Sequence, residues 1–256
     1  MSEATPPPPY VSGHGLLAGR TAVITAAAGA GIGYSTAQRF SEEGARIVIS
    51  DAHPRRLEEA ADRLGVAGIP CDVTDEAQVQ ALFDGAAERL GGIDVVVNNA
   101  GLGGTVDLVD MTDEQWALVL DVSLTGTFRC TRTAQRHMQP RSRGVIVNNA
   151  SVLGWRAQPG QAHYAAAQAG VMALTRCAAM EAAPFGIRVN AVSPSLSMNP
   201  FLAKVTSEDL LADLEQREAF GRSAEPWEVA NVIVFLASDY SSYMTGEVVS
   251  VSNQHA

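Results

Sequence analysis

The chain has 256 residues, 46% of them hydrophobic, enough for one large α/β domain or two small ones and too apolar for general disorder. Its net charge of −10 and pI near 4.9 argue against nucleic acid and anionic membranes as partners, since both need basic patches. Cys71, Cys130 and Cys177 are odd in number and share no metal-like spacing with each other or with the five histidines, so free thiols in a reducing cytoplasm and no metal site are expected.

Residues 1–15 contain Pro6 to Pro9 and no basic-then-apolar leader. They read as a flexible, solvated tail before a single domain over 16–256. No apolar run approaches the ~18 residues of a membrane span. Thr21 to Thr25 predicts a first strand, followed by a Gly/Ala-rich turn and a helix from Ile32 to about Glu43 that Gly44 stops. Arg46 to Ser50 predicts a second strand ending at Asp51, and Pro54 opens the next helix. A weak third strand, Gly68 to Cys71, ends at Asp72; a helix over 76–90 and a strong strand, Ile93 to Val97, follow. Residues 113–138 predict one or two helices, 145–147 a fifth strand, and 161–183 a helix stopped by Pro184 and Gly186. Arg188 to Val192 is a sixth strand, 200–220 a helical flap, 226–237 a helix and 247–251 a last strand. Strands alternating with helices imply crossover connections. The expected fold is a single Rossmann-type, doubly wound parallel α/β sheet of about seven strands flanked by helices.

The turn Thr25-Ala26-Ala27-Ala28-Gly29-Ala30-Gly31-Ile32-Gly33 leaves room for backbone amides to approach a pyrophosphate at a helix N-terminus. Packing alone can also produce such a turn. Asp51, 18 residues beyond Gly33 at the end of the second strand, can take both hydroxyls of an adenosine ribose and repel a 2′-phosphate. NAD(H) is therefore preferred. NADP(H) stays open, because Arg55 and Arg56 lie nearby. Asp72 and Val73, after the third strand, could flank an adenine, or form an ordinary Asp turn.

Ser151 follows the fifth strand, and Tyr164 and Gln168 lie four residues apart on one helical face. A serine and a tyrosine so placed can polarise a carbonyl and exchange a proton with it. With Asn98-Asn99-Ala100-Gly101, Ser151, Tyr164 and Asn190-Ala191-Val192-Ser193-Pro194 in this order, residues 16–252 resemble the short-chain dehydrogenase/reductase family. The stretches starting at Thr25, Asn148, His163 and Glu225 are similar to actinobacterial reductases of steroid-ring catabolism.

The resemblance implies hydride transfer between a nicotinamide and a carbonyl or alcohol carbon of a small-molecule substrate, alicyclic, steroid-like or CoA-linked. It implies Tyr164 as acid/base, Ser151 on the reacting oxygen, and the turn residues Thr25, Ala27, Gly29, Gly31, Ile32 and Gly33 on the cofactor. Asp51, Asp72, Val73, Asn99, Ala100, Gly101, Pro194 and Asn199 join them there. It also implies a homotetramer, or a homodimer, paired through helices around 116–138 and 161–183.

The sequence departs from the family pattern where charge matters most. The family lysine is Gln168, which can still meet the ribose but carries no charge. The relay asparagine is Ser123, the glycine after Pro194 is Ser195, and alanines replace the first glycine of the turn. A phenol titrates near ~10 without a neighbouring cation to lower it. Three readings stay open: a substitution introduced into a working enzyme, a natural reductase that works slowly or mainly toward the alcohol, or a nucleotide-binding protein without turnover. Trp155 and Arg156 are expected to edge a substrate pocket, where Arg156 could meet a carboxylate or CoA phosphate or simply be solvated. His163 is expected to face away from the phenol.

Overall fold

A computed structural model describes residues 4–198 and 208–253. One sheet contains β1 (Thr21–Ile24), β2 (Arg46–Asp51), β3 (Ala67–Pro70), β4 (Val95–Asn98), β5 (Gly144–Asn149), β6 (Ile187–Pro194) and β7 (Val248–Val251). All neighbours run parallel, in the order β3-β2-β1-β4-β5-β6-β7. The helices are α1 (Ile32–Glu42), α2 (Pro54–Leu64), α3 (Glu76–Leu90), α4 (Asp113–Leu120), α5 (Gly126–Met138), α6 (Ala162–Ala182), α7 (Glu208–Gln216) and α8 (Pro226–Ala237). The winding direction reverses between β1 and β4. A crevice forms beyond the carboxyl ends of the strands at such a reversal.

Alternation along the strands builds two cores. Ala22, Ile24, Val95 and Val97 face a layer with Phe40 of α1, Leu57 of α2 and Ile233 of α8. Val23, Val96 and Ile146 face Leu82 and Phe83 of α3, Met138 of α5 and Ala179 of α6. A strand buried on both faces has to be apolar at successive positions, which is why β1 and β4 read as unbroken apolar runs. Each fully buried Val, Ile or Phe contributes about 1.5–3 kcal/mol.

The punctuation residues act as expected. Gly44 adopts φ +87 beyond α1, Pro54 occupies the first turn of α2, and Asp75 caps α3 through the Ala77 and Gln78 amides. Residues 113–138 form one helical path interrupted by a π-turn, Asp121–Thr125. The strand Ile187–Pro194 is longer than its sequence signal because Ile187 pairs with Gly144, and Ser193 and Pro194 continue the ladder to Ser250 and Val251. The flap is helical from Glu208; its front half and Asn199 lie outside the described residues.

The N-terminal segment is extended and exposed, but it is not detached from the domain. The Thr5 amide donates to the Phe220 carbonyl at 2.9 Å, and Arg222 Nε donates to the Thr5 carbonyl at 2.8 Å. Tyr10 donates to Glu42 at 2.8 Å, packs edge-on against Trp227 and covers the Arg39 guanidinium. Arg39 itself is buried and pairs with Glu43 at 2.8 Å. The prolines keep the segment straight, and the Tyr10 ring gives it apolar surface to bury. No helix among the described residues is long and apolar enough to cross a membrane, and no group of metal-binding side chains is found among them.

Candidate active site

The turn after β1 is built by close packing. Ala26 adopts φ +51, the left-handed region that costs a non-glycine residue about 1–2 kcal/mol. The Ala27 amide donates to Ser50 of β2 and the Ala28 amide to the Asp51 carboxylate at 3.3 Å. Thr25 is likewise engaged internally: its hydroxyl accepts from the Asn99 amide at 3.0 Å and the Ala100 amide at 3.3 Å. Thr25 and Ala27 therefore shape the turn from beneath. Gly29, Gly31 and Ile32 lead into α1, which begins without a side-chain cap and without an acidic residue in its first turn. Its uncapped amides and positive dipole end favour an anion. A Cβ at Gly29 would meet only Gly31 N, at 3.8 Å, so the turn is open above it.

Gly33 has no such freedom. A Cβ there would lie 2.5 Å from both the Ala26 carbonyl oxygen and Asn99 Nδ2. Gly33→Ala is expected to destabilise the fold by about 1–3 kcal/mol and to weaken nucleotide binding, because the turn or Asn99 must move. Thermal unfolding and NADH titration check this; unchanged values in both would show that the turn yields freely.

Asp51 is held by the Ala28 and His53 amides. Burial raises its carboxyl above the ordinary carboxylate value, against the Ala28 amide and Arg56, which pull it down. A half-buried carboxyl in that state gains from further hydroxyl donors. Asp72 Oδ1 accepts from the Thr74 amide at 2.9 Å and the Thr74 hydroxyl at 2.7 Å, an Asp turn. Val73 beside it is buried against Gly126. The segment Asn98–Gly101 leaves β4 across from the turn. Asn99 donates to the Ala26 carbonyl at 3.1 Å and accepts from Asn149 at 2.9 Å, while Asn98 donates to Asn148 at 2.8 Å. Asn148 and Asn149 were not singled out in the sequence; the paired Asn-Asn dipeptides at the ends of β4 and β5 are the signal that could have found them.

Ser151 follows β5 and accepts from the Leu153 amide at 3.3 Å, which leaves its hydroxyl proton to the Tyr164 oxygen. Tyr164 and Gln168 lie in the first two turns of α6. Burial pushes the Tyr164 phenol above its usual value near 10.0; hydrogen bonds from Ser151 and Gln168 act in the opposite direction. The three side chains therefore form one cluster. Gln168 is buried, and its Oε1 has no hydrogen-bond partner among the described residues. The Tyr164 ring lies along Gly103, where a Cβ would come within 3.8 Å. His163 is buried beside it, but its Nδ1 accepts from the Tyr164 backbone amide at 2.9 Å and its Nε2 approaches Gly104. Ser123 lies in the π-turn, and its hydroxyl accepts from the Leu102 amide at 3.0 Å and donates to the Leu102 carbonyl at 3.1 Å. Trp155 and Arg156 are exposed after the turn that follows Ser151, and Pro194 is buried at the end of β6.

Residues 26–253 match the family model described as Enoyl-(Acyl carrier protein) reductase. The chain is 60% identical, over 97% of both chains, to a Mycobacterium tuberculosis protein named (5R,7aS)-5-hydroxy-7a-methyl-1-oxo-2,3,5,6,7,7a-hexahydro-1H-indene-carboxyl-CoA reductase. It is 42% identical to the cis-4-hydroxycyclohexanecarboxylate dehydrogenase of Sinomonas cyclohexanicum, covering 91% of this chain and 94% of that one. A crystal structure of a Mycobacterium smegmatis short-chain dehydrogenase superposes with TM-score 0.87 at 56% identity, over 97% of this chain and 98% of that one.

The chain belongs to the short-chain dehydrogenase/reductase family.

Short-chain dehydrogenases/reductases are oxidoreductases that use nicotinamide cofactors, and the residues present fit such a group. The open turn above Gly29 and the uncapped start of α1 suit a pyrophosphate. The buried, unpartnered Oε1 of Gln168 suits a hydroxyl donor such as a ribose.

Proposed function

We propose that this protein interconverts a secondary alcohol and a ketone on an alicyclic, steroid-like ring, as an acid or its CoA ester, with NAD(H) preferred over NADP(H). The grouping of Ser151, Tyr164 and Gln168 at the carboxyl edge of the sheet, beside an open nucleotide turn, is the observation that carries this reading. When bound, the nicotinamide supplies or accepts the hydride. Ser151 donates a hydrogen bond to the substrate oxygen, and Tyr164 delivers the proton to it. Gln168 holds the nicotinamide ribose and hydrogen-bonds the phenol. Because burial favours the neutral phenol, the protein works chiefly toward the alcohol, where Tyr164 has only to be an acid. The names of the M. tuberculosis and S. cyclohexanicum relatives support a ring substrate bearing an acyl or carboxylate group.

Asp51 sets the cofactor preference. Asp51→Ala is expected to lower kcat/KM for NADH by at least tenfold while leaving NADPH unchanged or improved, since a half-buried carboxylate repels a 2′-phosphate. Initial rates with both cofactors and one ring ketone check this. Equal rates with the two cofactors in the unaltered protein would sink the assignment.

A second reading, nucleotide binding without turnover, is favoured by the absence, among the described residues, of a cation beside Tyr164. NADH binding without ketone-dependent oxidation would establish it. The exposed apolar residues Trp116 and Leu118 of α4, Phe128 of α5 and Met180 of α6 support a homotetramer or homodimer. The three free cysteines, two of them buried, support a cytoplasmic location.

A further inference from the structure

The opposite edge of the sheet, where the strands begin, holds a charged cluster that the proposed reaction does not use. A cleft of about 230 Å³ opens there among Arg20, Asp94, Arg143, Gly186, Arg188 and Asp239. Arg141 borders it through Asp94. Four guanidiniums thus gather around two carboxylates, in a chain whose net charge is −10.

Both carboxylates are already committed. Asp94 is buried and accepts from four donors. Arg141 at 2.9 Å and Arg143 at 3.1 Å share its Oδ1, and the Thr21 amide at 3.1 Å and hydroxyl at 3.0 Å share its Oδ2. One carboxylate cannot neutralise two guanidiniums, so that pair retains a positive charge. Asp239 is taken by Arg20, at 2.7 Å. Arg188 forms no ion pair among the described residues. Its donors go to uncharged oxygens of Leu236, Ser238 and Ser241 at 2.9–3.1 Å. The Leu236 and Ser238 carbonyls end α8, and the helix dipole there offsets about half a charge. About one and a half positive charges remain beside one cleft.

We propose that this cleft binds a small oxoanion of the phosphate type, separately from the turn after β1. A dianion matches the excess charge. Guanidinium forks match the paired oxygens of a phosphate better than they match a halide. Arg143 is the exposed lip of the cleft and Arg188 its inner wall, so an anion between them replaces water around two partly desolvated cations.

The test is calorimetric titration of inorganic phosphate into the full chain saturated with NADH, which fills the nucleotide turn, at an ionic strength held constant with chloride. One saturable site is expected, weakened at least tenfold in Arg143→Gln and in Arg20→Gln. Arg143 is more than half exposed, so its variant should keep the unfolding temperature of the parent in phosphate-free buffer. Equal affinity for glycerol 3-phosphate would assign the site to phosphomonoesters, and weaker affinity to the free ion; both support it. No saturable binding by the unaltered protein, or undiminished binding by the Arg143 variant, overturns it. Neither result depends on the redox reaction.

Discussion

Replacing Gln168 with lysine is expected to raise the turnover of ring-ketone reduction by roughly 10²–10⁴, the range that acid/base assistance commonly supplies. Position 168 is 3% exposed, so a charge there acts on the phenol with little screening. Among the described residues, the phenol has the neutral hydrogen bonds of Ser151 and Gln168 to counter burial. An ammonium would stabilise the phenolate left after proton delivery, and would still reach the ribose hydroxyls. Some of the gain is lost to desolvation of the lysine, which lowers its own basicity. The pH profile of alcohol oxidation provides a second readout. Oxidation needs the phenolate, so below the phenol pKa its rate rises roughly tenfold per pH unit, and Gln168→Lys should move that limb to lower pH. If turnover and profile both stay as they are, charge at position 168 does not limit the reaction.

The Tyr164→Phe variant is expected to lose roughly 10²–10⁴ in turnover while binding NADH within about threefold of the parent. Phenylalanine keeps the ring surface that lies along Gly103 and removes only the hydroxyl, so the fold should be unaffected. The sign of the pH dependence follows from the same group. Burial holds the phenol neutral, so reduction by the unaltered protein should be flat from mildly acidic to mildly alkaline pH while oxidation climbs. Steady-state rates in both directions check this. Full activity in the phenylalanine variant would show that the proton comes from elsewhere.

Much of the fold was legible because its signals are local. The apolar runs at 21–24 and 95–97, Pro54 at a helix start and Gly44 past a helix end each act within a few residues. Other features depend on groups far apart in sequence. The N-terminal segment reads as a loose tail, because Tyr10 meets Arg39, Glu42 and Trp227 only after α1 and α8 have packed side by side. Thr25 and Asn99 read as cofactor ligands, yet their polar groups hold the turn itself together across 74 residues of sequence. Ser123 was recognised as a departure, but its bond to Leu102 follows from the π-turn, which has no local signal in the residues 121–125.

By itself the sequence determined the strand and helix order, the parallel sheet, the acidic side chain at the end of β2 and the four-residue spacing of Tyr164 and Gln168. Short-range periodicity and turn chemistry are sufficient for these. Only the tertiary structure decided which polar groups remain available. Packing bonds Thr25 and Ser123 within the protein, leaves Oε1 of Gln168 buried without a partner among the described residues, raises the Tyr164 phenol, and gathers four arginines from distant segments at the far edge of the sheet. Burial and partner geometry belong to the assembled chain, because desolvation depends on neighbours that the local sequence does not name.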